Sequence, residues 1–110
     1  MNDAERPGDG LDDYDPKANA AAMERAGLDL AKGLLKAEMN KRRLTYAGLA
    51  NLMSDYGIEE NERNLRNKVS RGGFPASWFF AVMMMMEVKL LDISHSYQSL
   101  SDHLNSPNGD

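Results

Sequence analysis

The sequence predicts an all-α fold of four helices, and three observations indicate this class. Apolar residues recur at the three- and four-residue spacing of a helix with one buried face, over residues 30–39 and again after Thr45. Thr45 and Asn61 are residues that cap helix N-termini, and Gly57 stands where a helix is expected to end. The last segment, residues 75–88, opens with proline and is almost wholly apolar.

Length and composition limit the chain to one small domain with two tails. It has 110 residues, 42% of them hydrophobic, and no cysteine, which excludes disulfides and thiolate metal sites. The acidic N-terminus lacks the apolar core of a signal peptide. The longest apolar run, residues 75–86, is too short to cross a bilayer. We therefore expect a cytoplasmic, nucleoid-associated protein.

Charge is unevenly distributed along the chain, although the net charge is −4. Residues 32–72 carry nine basic and five acidic side chains. Residues 1–31 carry three basic and eight acidic ones, and residues 73–110 carry one and four. A basic middle third between acidic flanks favours a surface that faces nucleic acid. The alternative is ordinary variation over a solvated surface.

The N-terminal segment is expected to form an arm outside the domain. Residues 1–15 are rich in charge and poor in apolar side chains, which is typical of disorder. Asp15 then offers an N-cap and Pro16 a first helical residue, and Gly27 is expected to end or interrupt the Ala-rich helix that follows. The chain thus divides into an arm, a domain and a flexible tail: residues 1–27, 28–93 and 94–110.

The first two helices of the domain each have one apolar face. The residues on that face of the first helix are Leu30, Ala31, Leu34, Leu35 and Met39. The corresponding residues of the second helix are Tyr46, Leu49, Ala50, Met53 and Tyr56. We expect Thr45 to cap the second helix and Gly57 to end it in a left-handed conformation.

The third helix combines two buried positions with an exposed polar face. Leu65 and Val69 lie four residues apart and are expected to point into the core. At 100° per residue, Arg63 and Asn67 then point away from it. Asn61 is the expected N-cap, and a Gly-Gly pair closes the helix.

The fourth helix is apolar on every side from Pro75 until Glu87. Such a helix is buried on more than one side. Because a domain of this size buries little surface, we expect a second copy of the chain to cover it. The residues assigned to this homodimer interface are Trp78, Phe79, Val82, Met83 and Met86.

The order of these elements resembles the helix-turn-helix domains of phage repressors and their bacterial relatives. The likeness rests on a Thr-capped helix with a central alanine, a Gly-Ile turn, a polar helix ending in Ser-Arg-Gly and a following apolar helix. The segment from about Leu35 to Val88 looks closer still to an uncharacterised bacterial family of this type, a domain of unknown function that shares an NLRNK-SRG-F core. Two features depart from the repressors: Tyr46 replaces the usual glutamine, and the turn SDYGIEENE is longer.

The resemblance implies sequence-specific binding of double-stranded DNA by a transcriptional regulator whose third helix enters the major groove. The residue types agree, because arginine matches the guanine edge and asparagine the adenine edge. The predicted base-reading residues are Arg63, Asn64, Arg66 and Asn67. The residues predicted to hold phosphates are Lys41, Arg42, Arg43, Thr45, Tyr46, Lys68, Ser70 and Arg71.

Three other interpretations of the basic helix stay open. It is a solvated face stabilised by the ion pairs Glu62–Arg66 and Glu59–Arg63 at four-residue spacing. Or the basic helix and the apolar fourth helix form a protein–protein interaction module. Or the chain has a structural role within a larger assembly.

No cluster of residues predicts catalysis, a cofactor or a metal site. The four methionines 83–86 point 100° apart on a helix and cannot converge on one ion. His95 and His103 lie in a polar tail without partners at ligand spacing. Phosphate-loop, nucleophile-elbow and zinc motifs are absent. The chain is therefore predicted not to be an enzyme and to bind neither small molecules nor membranes.

Overall fold

The computed structural model describes residues 15–94 as four helices. They are α1 (Pro16–Lys41), α2 (Tyr46–Asp55), α3 (Glu62–Arg71) and α4 (Ala76–Met85). Within the described residues there is no strand, so the predicted all-α class is confirmed. No helix in this part of the chain combines the length and apolar character needed to span a membrane.

α1 is one uninterrupted helix of 26 residues, about 39 Å long at the usual rise per residue. It begins as predicted: the Asp15 carboxylate accepts a hydrogen bond of 3.0 Å from the backbone N–H of Lys17, and Pro16 occupies the first helical position. The prediction that Gly27 ends or interrupts the helix was wrong, since α1 passes through both Gly27 and Gly33. A glycine costs a helix only about 1 kcal/mol, and the alanines before Gly27 offset it.

Side-chain caps fix the starts of α2 and α3. The Thr45 hydroxyl accepts a hydrogen bond from the backbone N–H of Gly48 at 3.0 Å, and the Asn61 side chain accepts one from Asn64 at 2.8 Å. Both caps were predicted and are confirmed. Gly57 follows α2 with a φ of +79°, the left-handed conformation expected of it. The link between α2 and α3 is thus held at both ends.

The core forms where α2 packs on α3 and where α1 and α2 pack on α4. The largest fully buried side chains come from all four helices and include the two predicted for α3: Leu35, Leu49, Met53, Leu65, Val69 and Val82. Tyr56, predicted to lie on the apolar face of α2, is instead 56% exposed. It is the residue at which α2 stops and the chain turns away.

α4 buries most of its apolar side chains within a single chain. Phe79, Val82, Met83 and Met86 belong to the core, and Trp78 packs partly buried against it. These are the five residues predicted for a homodimer interface. Because α1 and α2 already cover them, their burial does not require a second copy. The prediction from domain size underestimated how much of the apolar surface of α4 the 26-residue α1 and the shorter α2 can cover.

One side of α4 nevertheless lies outside the core. Phe80 is 52% exposed and Met84 is 70% exposed, and the two residues lie one turn apart. Leu90 and Ile93, in the segment after α4, are exposed as well. A partner of α4 would therefore meet Phe80 and Met84 rather than the four buried residues Phe79, Val82, Met83 and Met86, whereas Trp78 is partly buried.

Candidate functional site

α3 presents the polar face on which the functional prediction depends. Leu65 and Val69 anchor it to the core, and Arg63, Asn67 and Ser70 are exposed. No described residue makes a hydrogen bond or an ion pair with the side chain of Arg63 or Asn67. A rigid helix therefore holds a guanidinium and an amide out to solvent with their donors available.

Arg66 lies on the flank of α3 that faces the start of α2, and it has two partners. Its Nη2 donates a hydrogen bond to the carboxylate of Glu62, one turn earlier on α3. Its guanidinium also lies over the ring of Tyr46, 5.7 Å from the ring centroid. The pair Glu62–Arg66 was foreseen from its spacing. The described residues show no corresponding pair between Glu59 and Arg63.

An open cleft of about 500 Å³ adjoins Arg66. It lies between the C-terminal half of α1 and the first residues of α2 and α3, and its lining residues are Lys36, Met39, Asn40, Leu44, Thr45, Tyr46, Glu62 and Arg66. Lys36 and Asn40 were not identified from the sequence. Their four-residue spacing on α1 was visible, but only the fold brings α1 beside the start of α2.

Asn64 lies on the opposite flank of α3. It lines a second open cleft, of about 440 Å³, with Ser54, Asn61 and the carboxylates of Glu59 and Glu60. The four predicted base-reading residues therefore do not form one patch. Arg63 and Asn67 share the outward face, Arg66 lies toward the start of α2, and Asn64 has acidic neighbours.

Lys68, predicted to hold a phosphate, is already paired within the chain. Its Nζ lies 4.9 Å from the ring centroid of Trp78 and 3.8 Å from the Glu60 carboxylate. The lysine thus bridges α3 to α4 and to the link before α3. Its position favours a structural role over contact with a ligand.

Arg42, also predicted to hold a phosphate, joins the ends of α1 and α4. Its Nε donates to the Met86 carbonyl at 2.8 Å, and its Nη1 donates to the Glu38 carbonyl at 3.0 Å and to the Glu38 carboxylate at 2.7 Å. Three internal bonds hold the guanidinium. The sequence did not reveal this link because Arg42 and Met86 lie 44 residues apart.

Glu38 is the buried charge that this link satisfies. It is only 4% exposed, and its carboxylate accepts hydrogen bonds from Arg42 and, at 3.1 Å, from Lys41. The hydrogen bond from Arg42, followed by that from Lys41, lowers the pKa of Glu38 below its ordinary value and outweighs the opposing effect of burial.

The remaining predicted phosphate contacts differ in exposure and in availability. Arg43 and Arg71 have no hydrogen-bonding or ionic partner among the described residues, and Ser70 is exposed beside Arg71. The Thr45 hydroxyl is engaged as a helix cap, and Tyr46 lies partly buried beneath Arg66. Arg43 has a φ of +53°, which turns the chain out of α1 toward α2.

Metal-ligating side chains do not gather anywhere in residues 15–94: no three of the types His, Cys, Asp and Glu are placed to hold an ion. His95 and His103, considered as ligands from the sequence, lie outside the described residues.

Comparison with known proteins gives one match. The model of a family described as "Domain of unknown function (DUF6471)" matches residues 28–91. This range covers the C-terminal part of α1 and all of α2, α3 and α4. No curated protein and no solved structure matches the chain.

Proposed function

The chain belongs to the DUF6471 family, and we propose that it binds double-stranded DNA through the exposed face of α3. The observation that carries this proposal is the pairing of Arg63 and Asn67 on one rigid face without partners in the described chain. Side chains of these two types match the hydrogen-bonding edges of guanine and adenine. An exposed helix that offers them fits the major groove.

The arrangement of the helices supports the same proposal. A Thr-capped α2 packs on α3 across a glycine turn, as in the helix-turn-helix domains that the sequence resembles. In such domains the second of the two helices enters the major groove and the first crosses the phosphate backbone. On this basis the protein acts as a transcriptional regulator, with α3 as its recognition helix.

The geometry also changes which residues we assign to the DNA. Base reading falls to Arg63, Arg66 and Asn67, whereas the acidic neighbours of Asn64 disfavour it. Phosphate contacts fall to the available cations Arg43 and Arg71. Lys36 and Asn40 join this group, since they line the cleft beside the start of α2.

The proposal is tested by fluorescence anisotropy with mixed-sequence duplex DNA over a range of salt concentrations. Binding should weaken with salt, with a logarithmic slope of about 0.9 per phosphate contact. The Arg63→Ala/Arg66→Ala variant should bind at least about tenfold more weakly. The matched control is Lys17→Ala/Arg25→Ala, which removes two exposed cations from the N-terminal part of α1 and should bind as the wild type does.

Two outcomes would count against DNA binding by α3. One is the absence of binding to any duplex at low salt. The other is an equal loss in the two double variants, which would mean that overall charge and not the α3 face attracts the DNA.

We further propose that two copies associate through the exposed side of α4, around Phe80 and Met84. A two-fold dimer of this kind should recognise an inverted repeat whose half-sites lie about one helical turn apart. A footprint on selected DNA measures this spacing. A single asymmetric footprint would contradict the dimeric arrangement.

A protein–protein interaction module is the second candidate function, and the same exposed apolar pair on α4 favours it. In this case Phe80 and Met84 contact a different protein, and the basic α3 meets an acidic surface. Such a module would show no preference among duplex sequences. Cross-linking in cells with a photoreactive residue at position 84 would then capture a heterologous protein and not a second copy.

A further inference from the structure

Arg66 differs from the other available arginines of α3 because its guanidinium is held in place. The Glu62 carboxylate accepts a hydrogen bond from its Nη2, and the Tyr46 ring lies against it. Arg63 and Arg71 have no such partners in the described chain. Arg66 is still 53% exposed along its side chain, so it is held without being buried.

The groups that Arg66 has left can bind a planar pair of acceptors. A guanidinium carries five N–H donors arranged in two forks, one formed by Nε and Nη2 and the other by Nη1 and Nη2. The bond to Glu62 uses one of the two N–H groups of Nη2, so the fork that contains the other stays available. In the major groove, guanine presents two acceptors side by side, O6 and N7. Adenine presents one donor and one acceptor, which an arginine cannot match with two donors.

The neighbouring carboxylate favours a base over a phosphate as the partner of Arg66. Glu62 is half exposed beside the guanidinium, and its charge would repel a phosphate brought to the same place. An uncharged base edge meets no such repulsion. Because a guanidinium can also hold a phosphate through two parallel hydrogen bonds, the preference for a base rests on the charge of Glu62.

We propose that Glu62 and Tyr46 are positioning residues that fix Arg66 to read one guanine in the major groove. This inference rests on the proposed binding of DNA by α3. It assigns the preference for guanine at one base pair to three residues from two helices. The pair Glu62–Arg66 is then part of base recognition, beyond its role as a surface ion pair of α3.

The experiment is selection of bound duplexes from a random library, followed by sequencing, with the wild type and six variants: Arg66→Lys, Arg66→Ala, Glu62→Gln, Tyr46→Leu, Tyr46→Phe and Glu59→Gln. The wild type should enrich a motif with an invariant guanine. Arg66→Lys keeps the charge but loses the fork of donors. The relative enrichment of guanine at that position should therefore fall at least about tenfold. Glu62→Gln and Tyr46→Leu, which release Arg66, should weaken the same position and leave the others unchanged.

Glu59→Gln is the matched control for Glu62→Gln. Glu59 lies just before α3, has no hydrogen-bonding or ionic partner among the described residues and lines the cleft with Asn64, on the flank of α3 opposite Arg66. Its substitution removes the same charge and should leave the motif intact. Circular dichroism melting of each variant establishes that it is folded. Tyr46→Phe keeps the aromatic ring under Arg66 and should therefore keep the enrichment of guanine.

Three results separate the possible failures. Unchanged motifs in Glu62→Gln and Tyr46→Leu would mean that the contacts of Arg66 are only structural. A loss in Arg66→Ala that is equal for all sequences, with a lower salt slope, would make Arg66 a phosphate contact. Both overturn the inference while DNA binding stands. If the wild type enriches no motif and binds no duplex, the proposed function itself fails.

Discussion

Glu38 and Arg42 show how a charge pattern that resembles a binding site is used inside the fold. Glu38 is buried, and Arg42 satisfies both its carboxylate and its carbonyl oxygen. The same guanidinium holds the carbonyl of Met86 just after α4. One side chain thus completes the hydrogen bonding at the ends of two helices, where carbonyls otherwise lack partners.

Removing Arg42 should therefore destabilise the fold. Arg42→Ala leaves a buried carboxylate and a carbonyl without this donor, and a buried acceptor left without its partner costs about 1–3 kcal/mol. We expect a loss of that size in the free energy of unfolding at neutral pH, measured by urea denaturation. Arg25→Ala, an exposed arginine of α1 without a partner in the described chain, should have almost no effect.

Acid should reduce the difference between Arg42→Ala and the wild type. The folded-state pKa of Glu38 is below its ordinary value of 4.5, so the ionised carboxylate stabilises the fold above pH 4.5. That stability is lost as the pH falls through the folded-state pKa. Arg42 is the largest cause of the lowered pKa, so its removal takes away part of this dependence. Urea denaturation in steps below pH 4.5 measures it, and a difference that stays constant would contradict the assignment.

At the scale of the helices, α1 contains two glycines in its interior, where glycine lowers the stability of a helix. A Cβ atom added at Gly27 or Gly33 would meet no atom within 4 Å outside its own turn of the helix. Neither glycine is therefore required for close packing, and both lie inside a helix. They weaken α1 without any contact that explains their presence.

Alanine at both positions should stabilise α1. The gain expected from helix propensity is about 0.8–1.0 kcal/mol per site. Gly27→Ala/Gly33→Ala should raise the midpoint of urea unfolding accordingly. Gly57→Ala is the matched control and should lower the midpoint, because Gly57 has a φ of +79° that alanine adopts only with strain. A double variant that unfolds earlier than the wild type would show that α1 must bend at these glycines.

The helices could be predicted from sequence because the signals that make them are local. The caps at Thr45 and Asn61 depend on residues three positions away, and the apolar spacing of α3 depends on its own turns. The contacts of Arg42 and Lys68 could not be predicted, since their partners Met86 and Trp78 are distant in sequence. As a result, the exposure of Arg63 and Asn67 on α3 was predicted correctly. Arg42 and Lys68, in contrast, were predicted to hold phosphates although both have partners within the chain.

For the whole molecule, the proposed dimer depends on the exposed pair on α4, Phe80 and Met84. The core side of α4 is already used within one chain, so Phe80 and Met84 are the large apolar residues of this helix that are exposed to a partner. This restricts a dimer to one side of α4. Because α4 packs on both α1 and α2, such a dimer would also fix the separation of the two copies of α3.

A charge on the exposed side of α4 should prevent dimerisation without unfolding the chain. Phe80→Glu and Met84→Glu each place a carboxylate in the proposed contact, where it would be desolvated, and we expect association at least about tenfold weaker. Light scattering at micromolar concentration measures the mass. Tyr56→Glu, at an exposed aromatic residue far from α4 in sequence, should leave the dimer intact. Equal masses for all the variants and the wild type would rule out this contact.

Because the methionines differ in exposure, the positions at which they are oxidised indicate whether the core is closed or open. Of the seven methionines in residues 15–94, Met23 and Met84 are exposed and the other five are buried. In the monomer, mild peroxide should therefore convert Met84 to its sulfoxide while its neighbours Met83 and Met85 are protected by the core. Oxygen on the buried thioethers would appear only when the core opens. Peptide mass spectrometry of α4 would thus separate damage at the surface from unfolding within one short stretch of sequence.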